Sequence, residues 1–223
     1  DMNILFTVCG RAGSKGIKNK NFKSFLNYPL IYYSLSAIDL YNDFTDSNID
    51  IVINTDSDHL RNLVKENIKI QLSYIEREID LGKDDTPKIS VIKESYKTMK
   101  KRKRKDYDIV VDLDITSPLR TVLDIDKLIV KKLKSNSDID VVFSVTNSRR
   151  NPYFNMVKKT DKGYQRIINS DHNTRQQAPQ VYDMNASLYA YSPEFLLKSK
   201  NIFDGKCEII QMMDTGILDI DHP

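Results

Sequence analysis

Two short stretches hold residue types that could do chemistry. "VCGRAGSKGIKNKN" (Val8–Asn21) puts three glycines, Arg11 and three lysines into one loop, directly after an apolar run. Glycine backbone N–H groups can form an anion-binding nest. Guanidinium and ammonium groups can neutralise a polyphosphate and the charge that develops when it is split. The spacing of Gly10, Gly13 and Gly16 fits neither the Walker A pattern nor the dinucleotide fingerprint. The loop is also long: Lys15, Lys18 and Lys20 all precede the next helix signal, near Pro29. A solvated loop with incidental lysines is the plain alternative. Towards the other end, "ILDID" sets Asp219 and Asp221 two residues apart. In a strand such side chains share a face. Adjacent carboxylates repel, so the pair is best tolerated with a divalent cation between them, and Mg²⁺ suits carboxylate and phosphate oxygens. Two solvated strand-end acids are the competing reading.

The remaining reactive types mostly exclude functions. His59, His172 and His222 show no ligand spacing. Cys9 and Cys207 are far apart and form no C-x-x-C pair, so neither a disulfide scaffold nor a zinc knuckle is expected. Cys9 reads as a small residue packed under the glycine loop. "KKRKRK" (Lys100–Lys105) closes a helix, where cations suit the dipole. It lacks aromatic interleaving, and the net charge is only +3, so no nucleic-acid partner is expected. No apolar run approaches the ~20 residues that cross a bilayer, and Asn3–Val8 is too short for a signal peptide. A cytoplasmic protein with no membrane partner is expected. The end at "DIDHP" leaves room for a further C-terminal segment.

The elements that must position these residues follow from periodicity. "NILFTV", "DIVINT", "IQLSYI", "YDIVVDLDI" and "DVVFSV" read as strands. Between them, "PLIYYSLSAIDLY", "DSDHLRNLVKEN", "TPKISVIKESYKTMKKRKRK" and "VLDIDKLIVKKLKS" read as helices. Thr86 is the expected N-cap of the third helix, with Pro87 in its first turn. The alternation predicts an α/β protein with a doubly wound, mostly parallel sheet. Ligands in such sheets bind at the C-terminal ends of the strands. From about residue 147 the rhythm changes to a hairpin with Asp161-Lys162-Gly163 at its turn. The expectation is one domain over residues 1–223, with a β-rich insertion or lid at about 147–185.

"RAGSKGIKNKN" resembles the N-terminal signature of the cytidylyltransferases that activate sialic acids and related nonulosonic acids. "TDSDHL", "TSPLRT", "RQQAPQVY", "NASLYAY" and "DIDHP" follow in that family's order, so the resemblance spans nearly the whole chain. It implies a Rossmann-like enzyme joining CTP to a nine-carbon sugar acid, with Mg²⁺ held by Asp219 and Asp221. It implies catalytic roles for Arg11 and Lys20 near the α-phosphate. Asp219 or Asp221 would also assist deprotonation through the metal or a water; which of them, if either, stays open. Gly13, Ser14, Lys15 and Asn21 would hold the nucleotide. Arg77 would read the pyrimidine, with Asp84 across the same loop; a surface ion pair with Glu78 or Asp80 is the alternative. The sugar would meet Asp114, Thr116, Ser117, Arg175, Gln176, Gln177, Asn185 and Tyr189. Arg120 would cap or bind. The resemblance also implies a homodimer, the insertion reaching towards the partner's site. Asp114 replaces the glutamine of the sialic acid enzymes, as in legionaminic-type enzymes, and Asp183 stands where arginine is common. The sugar therefore stays open among sialic, legionaminic, pseudaminic and KDO types. A sugar nucleotidyltransferase using another nucleotide is one further alternative, and an inactive nucleotide-sugar-binding protein is another, against which intact Arg11, Lys20, Asp219 and Asp221 argue.

Overall fold

A computed structural model describes residues 1–11, 23–67, 70–78, 86–135 and 138–213. The first strand, β1 (Asn3–Gly10), shows why the chain folds in layers. Ile4, Phe6 and Val8 join one buried cluster, and Leu5 joins another on the opposite face. A strand apolar on both faces must be covered on both. Each fully buried side chain of this size stabilises by roughly 1.5–3 kcal/mol.

A minimal hairpin, β2 (Ser24–Phe25) and β3 (Tyr28–Pro29), leads into α1 (Leu30–Asn42). Then come β4 (Asn48–Thr55), α2 (Asp58–Asn67), β5 (Ser73–Glu76), α3 (Lys88–Lys103), β6 (Ile109–Leu113), α4 (Val122–Lys134) and β7 (Val141–Asn147). A separate hairpin, β8 (Val157–Thr160) and β9 (Gly163–Arg166), lies between β7 and β10 (Tyr182–Tyr191). Gly163 takes φ +90° at its turn, a conformation that favours glycine. The chain continues through α5 (Pro193–Lys198) and β11 (Cys207–Gln211).

The main sheet has the order β11-β7-β10-β6-β1-β4-β5. Only β10 runs against the others, pairing antiparallel with both β6 and β7. The doubly wound, mostly parallel expectation is therefore met. α1, α2 and α4 cover one face and α3 and α5 the other. The third helix begins one residue late: Pro87 occupies the capping position without a side-chain hydrogen bond, and Lys88 is the first helical residue. Pro87 keeps an extended backbone, with ψ 136°, so the helical conformation starts only at Lys88. Thr121, by contrast, opens α4 with a reciprocal capping box to Asp124.

Candidate active site

Strand order reverses between β1 and β6, with β4 and β5 laid down on one side and β6 on the other. That switch point opens a crevice at the C-terminal ends of the strands. Arg11 follows β1 directly there, and Arg77 follows β5. The chain leaves β11 towards the same edge, since β11 runs parallel to β7 and Met212 N–H donates to the Val145 carbonyl at 2.8 Å. Gly13, Ser14, Lys15, Lys20, Asn21, Asp84, Asp219 and Asp221 lie outside the described residues.

At the end of β6, Asp112 and Asp114 share a face, and the first residue of α3 spans them. Lys88 Nζ donates to Asp114 Oδ2 at 2.7 Å and lies 2.9 Å from Asp112 Oδ2. The second contact is an ion pair, and Asp112 Oδ2 accepts no hydrogen bond among the described residues. Asp112 Oδ1 accepts from the Thr7 hydroxyl at 2.7 Å. Asp114 Oδ1 accepts from both the backbone N–H and the hydroxyl of Thr116, at 2.9 and 2.8 Å. Burial opposes both charges, yet the pairing prevails: Lys88 is raised above its ordinary pKa, and Asp114 is held well below the carboxylate range. Burial, helped by Asp112, pushes the Cys9 thiol up to about 12, so it serves as packing and not as a nucleophile.

Three expected ligand groups are already engaged within the protein. Arg77 is buried at 8% exposure, which rules out a purely surface role; its Nε donates to Asn54 Oδ1 at 3.1 Å and an Nη to the Asn54 carbonyl at 3.2 Å. Asn185 Oδ1 accepts from Ser144 Oγ at 2.6 Å, and its amide nitrogen contacts Met212 Sδ at 3.3 Å. Thr116 turns inward to Asp114. Ser117 Oγ is buried and has no hydrogen-bond partner among the described residues. Tyr189 sits opposite Asp112 in the β10–β6 register, and burial raises its pKa.

Arg120 is a strut. It donates to Ser187 Oγ at 3.1 Å, to Ser34 Oγ at 2.8 Å and to the Asp114 carbonyl, joining β10, α1 and the end of β6. Burial lowers its pKa to about 10, still far above neutrality. Between Met184 and Tyr189 the β10 register shifts, and Ala186 takes φ +52°. This places the Ser187 carbonyl to accept the Asp114 N–H at 3.1 Å. Arg175 and Gln176 form a second group. With Arg150, Asn147 and Pro179 they line a cavity of about 440 Å³. Arg175 donates to the Arg149 carbonyl at 2.6 Å, and Gln177 Oε1 accepts from the Asn173 N–H. Of the residues expected at a sugar site, the structure gathers Asp114, Thr116, Ser117 and Tyr189 around the end of β6, Asn185 beside Ser144 of β7, and Arg175 and Gln176 around the cavity. Neither spacing nor motif pointed to Lys88; the signal was a basic residue opening a helix that faces a D-x-D strand end.

An α/β sheet with a basic crevice at its switch point is the frame of a nucleotide-using enzyme. The chain belongs to the cytidylyltransferase family, which residues 5–214 match. It is 32% identical to Post-translational flagellin modification protein B of Campylobacter coli, over 98% of this chain and 89% of that one. It is 33% identical to CMP-N,N'-diacetyllegionaminic acid synthase of Campylobacter jejuni, with the same coverage. The fold matches a CTP-bound CMP:2-keto-3-deoxy-manno-octonic acid synthetase, with TM-score 0.67 and 14% identity over 99% of this chain and 94% of that one. No helix among the described residues is long and apolar enough to cross a membrane.

Proposed function

We propose that this cytidylyltransferase activates a nine-carbon, sialic-acid-like α-keto acid, turning CTP and the sugar acid into CMP-nonulosonic acid and pyrophosphate. The observation that carries the reading is the 33% identity to the C. jejuni legionaminic acid enzyme along nearly all of the chain. The anomeric hydroxyl of the sugar attacks the α-phosphorus in line, and pyrophosphate leaves. Arg11 and Lys20 offset the charge that develops, and the glycine loop with Ser14, Lys15 and Asn21 holds the phosphates. Arg77 and Asp84 hold the pyrimidine. The crevice supplies positioning, and no covalent enzyme intermediate is needed.

Mg²⁺ is the metal we assign to Asp219 and Asp221, hard carboxylate oxygens that suit it; bound, it would neutralise phosphate charge. The D-x-D at the end of β6, Asp112 and Asp114, is by contrast closed by Lys88. Chain reach permits the assignment. Four strand spacings separate β11 from β1, about 19 Å. Eight residue steps from Met213 to Asp221 can span up to ~26 Å. Val157 and Tyr164, exposed on the β8–β9 hairpin, and Met184 at the start of β10 support a homodimer formed through this segment. The free Cys9 and Cys207 support a reducing, cytoplasmic compartment.

The test is pyrophosphate release with CTP, Mg²⁺ and a panel of nonulosonic acids and KDO, with ATP, GTP and UTP as competing nucleotides. We expect release with CTP and a nine-carbon acid. Background rates with every nonulosonic acid would refute the reading. Asp219→Ala and Asp221→Ala should each lower turnover roughly 1,000-fold without unfolding the protein; retained turnover would overturn the metal assignment.

A further inference from the structure

Lys88 sits where helix α3 meets the end of β6, and two numbers decide which of its neighbours can face a ligand. Asp112 is fully buried, whereas the Lys88 and Asp114 side chains keep 35% and 25% of their exposure. Asp112 therefore serves as an internal anchor. It accepts from Thr7 and, from below, fixes the ammonium against Asp114.

The hydrogen-bonding capacity of the exposed pair is specific. An ammonium carries three N–H donors, and a carboxylate about four lone-pair sites. Among the described residues, Lys88 directs its ammonium at Asp112 and Asp114, and Asp114 accepts from Lys88 and twice from Thr116. Lys88 spends one N–H on Asp114, so up to two ammonium N–H groups stand beside one carboxylate lone-pair site for a ligand. The pairing also offsets part of the carboxylate charge, one ammonium against Asp112 and Asp114, and so lessens the repulsion of an anionic sugar acid arriving beside a triphosphate. An amide group is the matching ligand, since it presents a carbonyl acceptor next to an N–H donor.

On the nonulosonic acid reading above, we propose that Lys88 and Asp114 together recognise an acylamino substituent of the sugar. Lys88 donates to the acyl carbonyl, and Asp114 accepts from the amide N–H. Asp112 and Thr7 act through Lys88 as positioning residues.

The experiment compares wild type, K88M and K88R with N,N'-diacetyllegionaminic acid and with analogues in which each acetamido group in turn is a hydroxyl. KM and kcat are read for each sugar and for CTP, with melting midpoints alongside. In K88M we expect the KM of the diacetamido sugar to rise about 10- to 100-fold, the scale of a hydrogen bond to a charged group. One hydroxyl analogue, and CTP, should change less than about twofold. K88R keeps a cation between the carboxylates but widens the compact ammonium into a fork, so it should hold the fold and still lose the acetamido preference. Equal losses for all the sugars, or a matching rise in the KM for CTP, would make Lys88 a structural counter-ion only and overturn the proposal. A wild type that turns over none of these acids would instead reject the functional reading, and this inference with it.

Discussion

Lysines meet aspartates at both ends of β6, and the two encounters differ in kind. Before its first residue, Lys100 pairs with Asp106 at 2.5 Å, and Lys105 with Asp50 at 2.8 Å. Asp106 is 81% exposed. After its last residue, Lys88 lies between Asp112 and Asp114, and Arg120 lies beneath the same turn. The charges are of the same types, but at the C-terminal end each group is tied to several elements at once. Exposed pairs lose most of their Coulomb energy to water and salt, whereas a partly buried pair is held by the cost of leaving either partner alone. One end of the strand holds no fully buried charge, since Asp106 keeps 81% and Asp50 17% of its exposure, whereas Asp112 at the other keeps none. That second end is a preorganised floor for ligands.

The largest expected effect lies in that floor. Arg120→Ala removes a buried guanidinium from between β10, α1 and β6, and strands the Ser187 hydroxyl and the Asp114 carbonyl. Denaturant unfolding should show a loss of about 3 kcal/mol, with turnover falling as the end of β6 loosens. Unchanged stability would mean that the two ends of the strand do not differ as described. Asp114→Asn should come next, costing about 1–2 kcal/mol at pH 7, discounted because Lys88 and Asp114 are partly exposed. The pH dependence has a definite sign. The folded state holds the Asp114 carboxyl below its usual range. Its contribution is therefore complete above the unfolded value of about 3.9 and fades as the pH falls below that, towards the depressed folded value. Wild type and Asp114→Asn should accordingly converge in unfolding curves taken near pH 3 relative to pH 7. A gap that stays constant or widens with acid would contradict the ion pair.

How much of this was legible in the sequence depended on distance along the chain. The alternation of Ile4, Phe6 and Val8 with Leu5 announced a strand covered on both faces, because a strand's period is local. The glycine and lysine loop after β1, and "TSPLRT" after β6, marked the crevice, since both sit where α/β sheets bind ligands. Arg120 was expected to cap or bind, and it proved to be an internal strut. Its partners Ser34 and Ser187 are 86 and 67 residues away, and no spacing rule reaches that far. Asn185 reads as a free amide in "NASLYAY", yet Ser144, 41 residues earlier, takes its oxygen. Lys88 looks like one more cation of a lysine-rich helix until the sheet brings Asp112 and Asp114 beneath it.

The smallest effect belongs to the other end of β6. Lys105 pairs with Asp50 at 2.8 Å and lies 5.3 Å over the Tyr107 ring, whose hydroxyl donates to the same carboxylate at 2.8 Å. Burial opposes the ionised Asp50, but Lys105 and Tyr107 outweigh it and lower its pKa. Lys105→Ala leaves the tyrosine bond in place and Lys103 within 3.7 Å of Asp50. The loss should therefore be only about 0.5 kcal/mol. It should shrink further in ~1 M salt, where the screening length falls to about 3 Å, while the Asp114→Asn deficit should persist. Activity should not change, because this cluster lies at the N-terminal ends of β4 and β6, opposite the crevice. Equal costs for Lys105→Ala and Asp114→Asn, or equal salt sensitivity, would mean that burial at the crevice adds nothing to the pairing of Lys88.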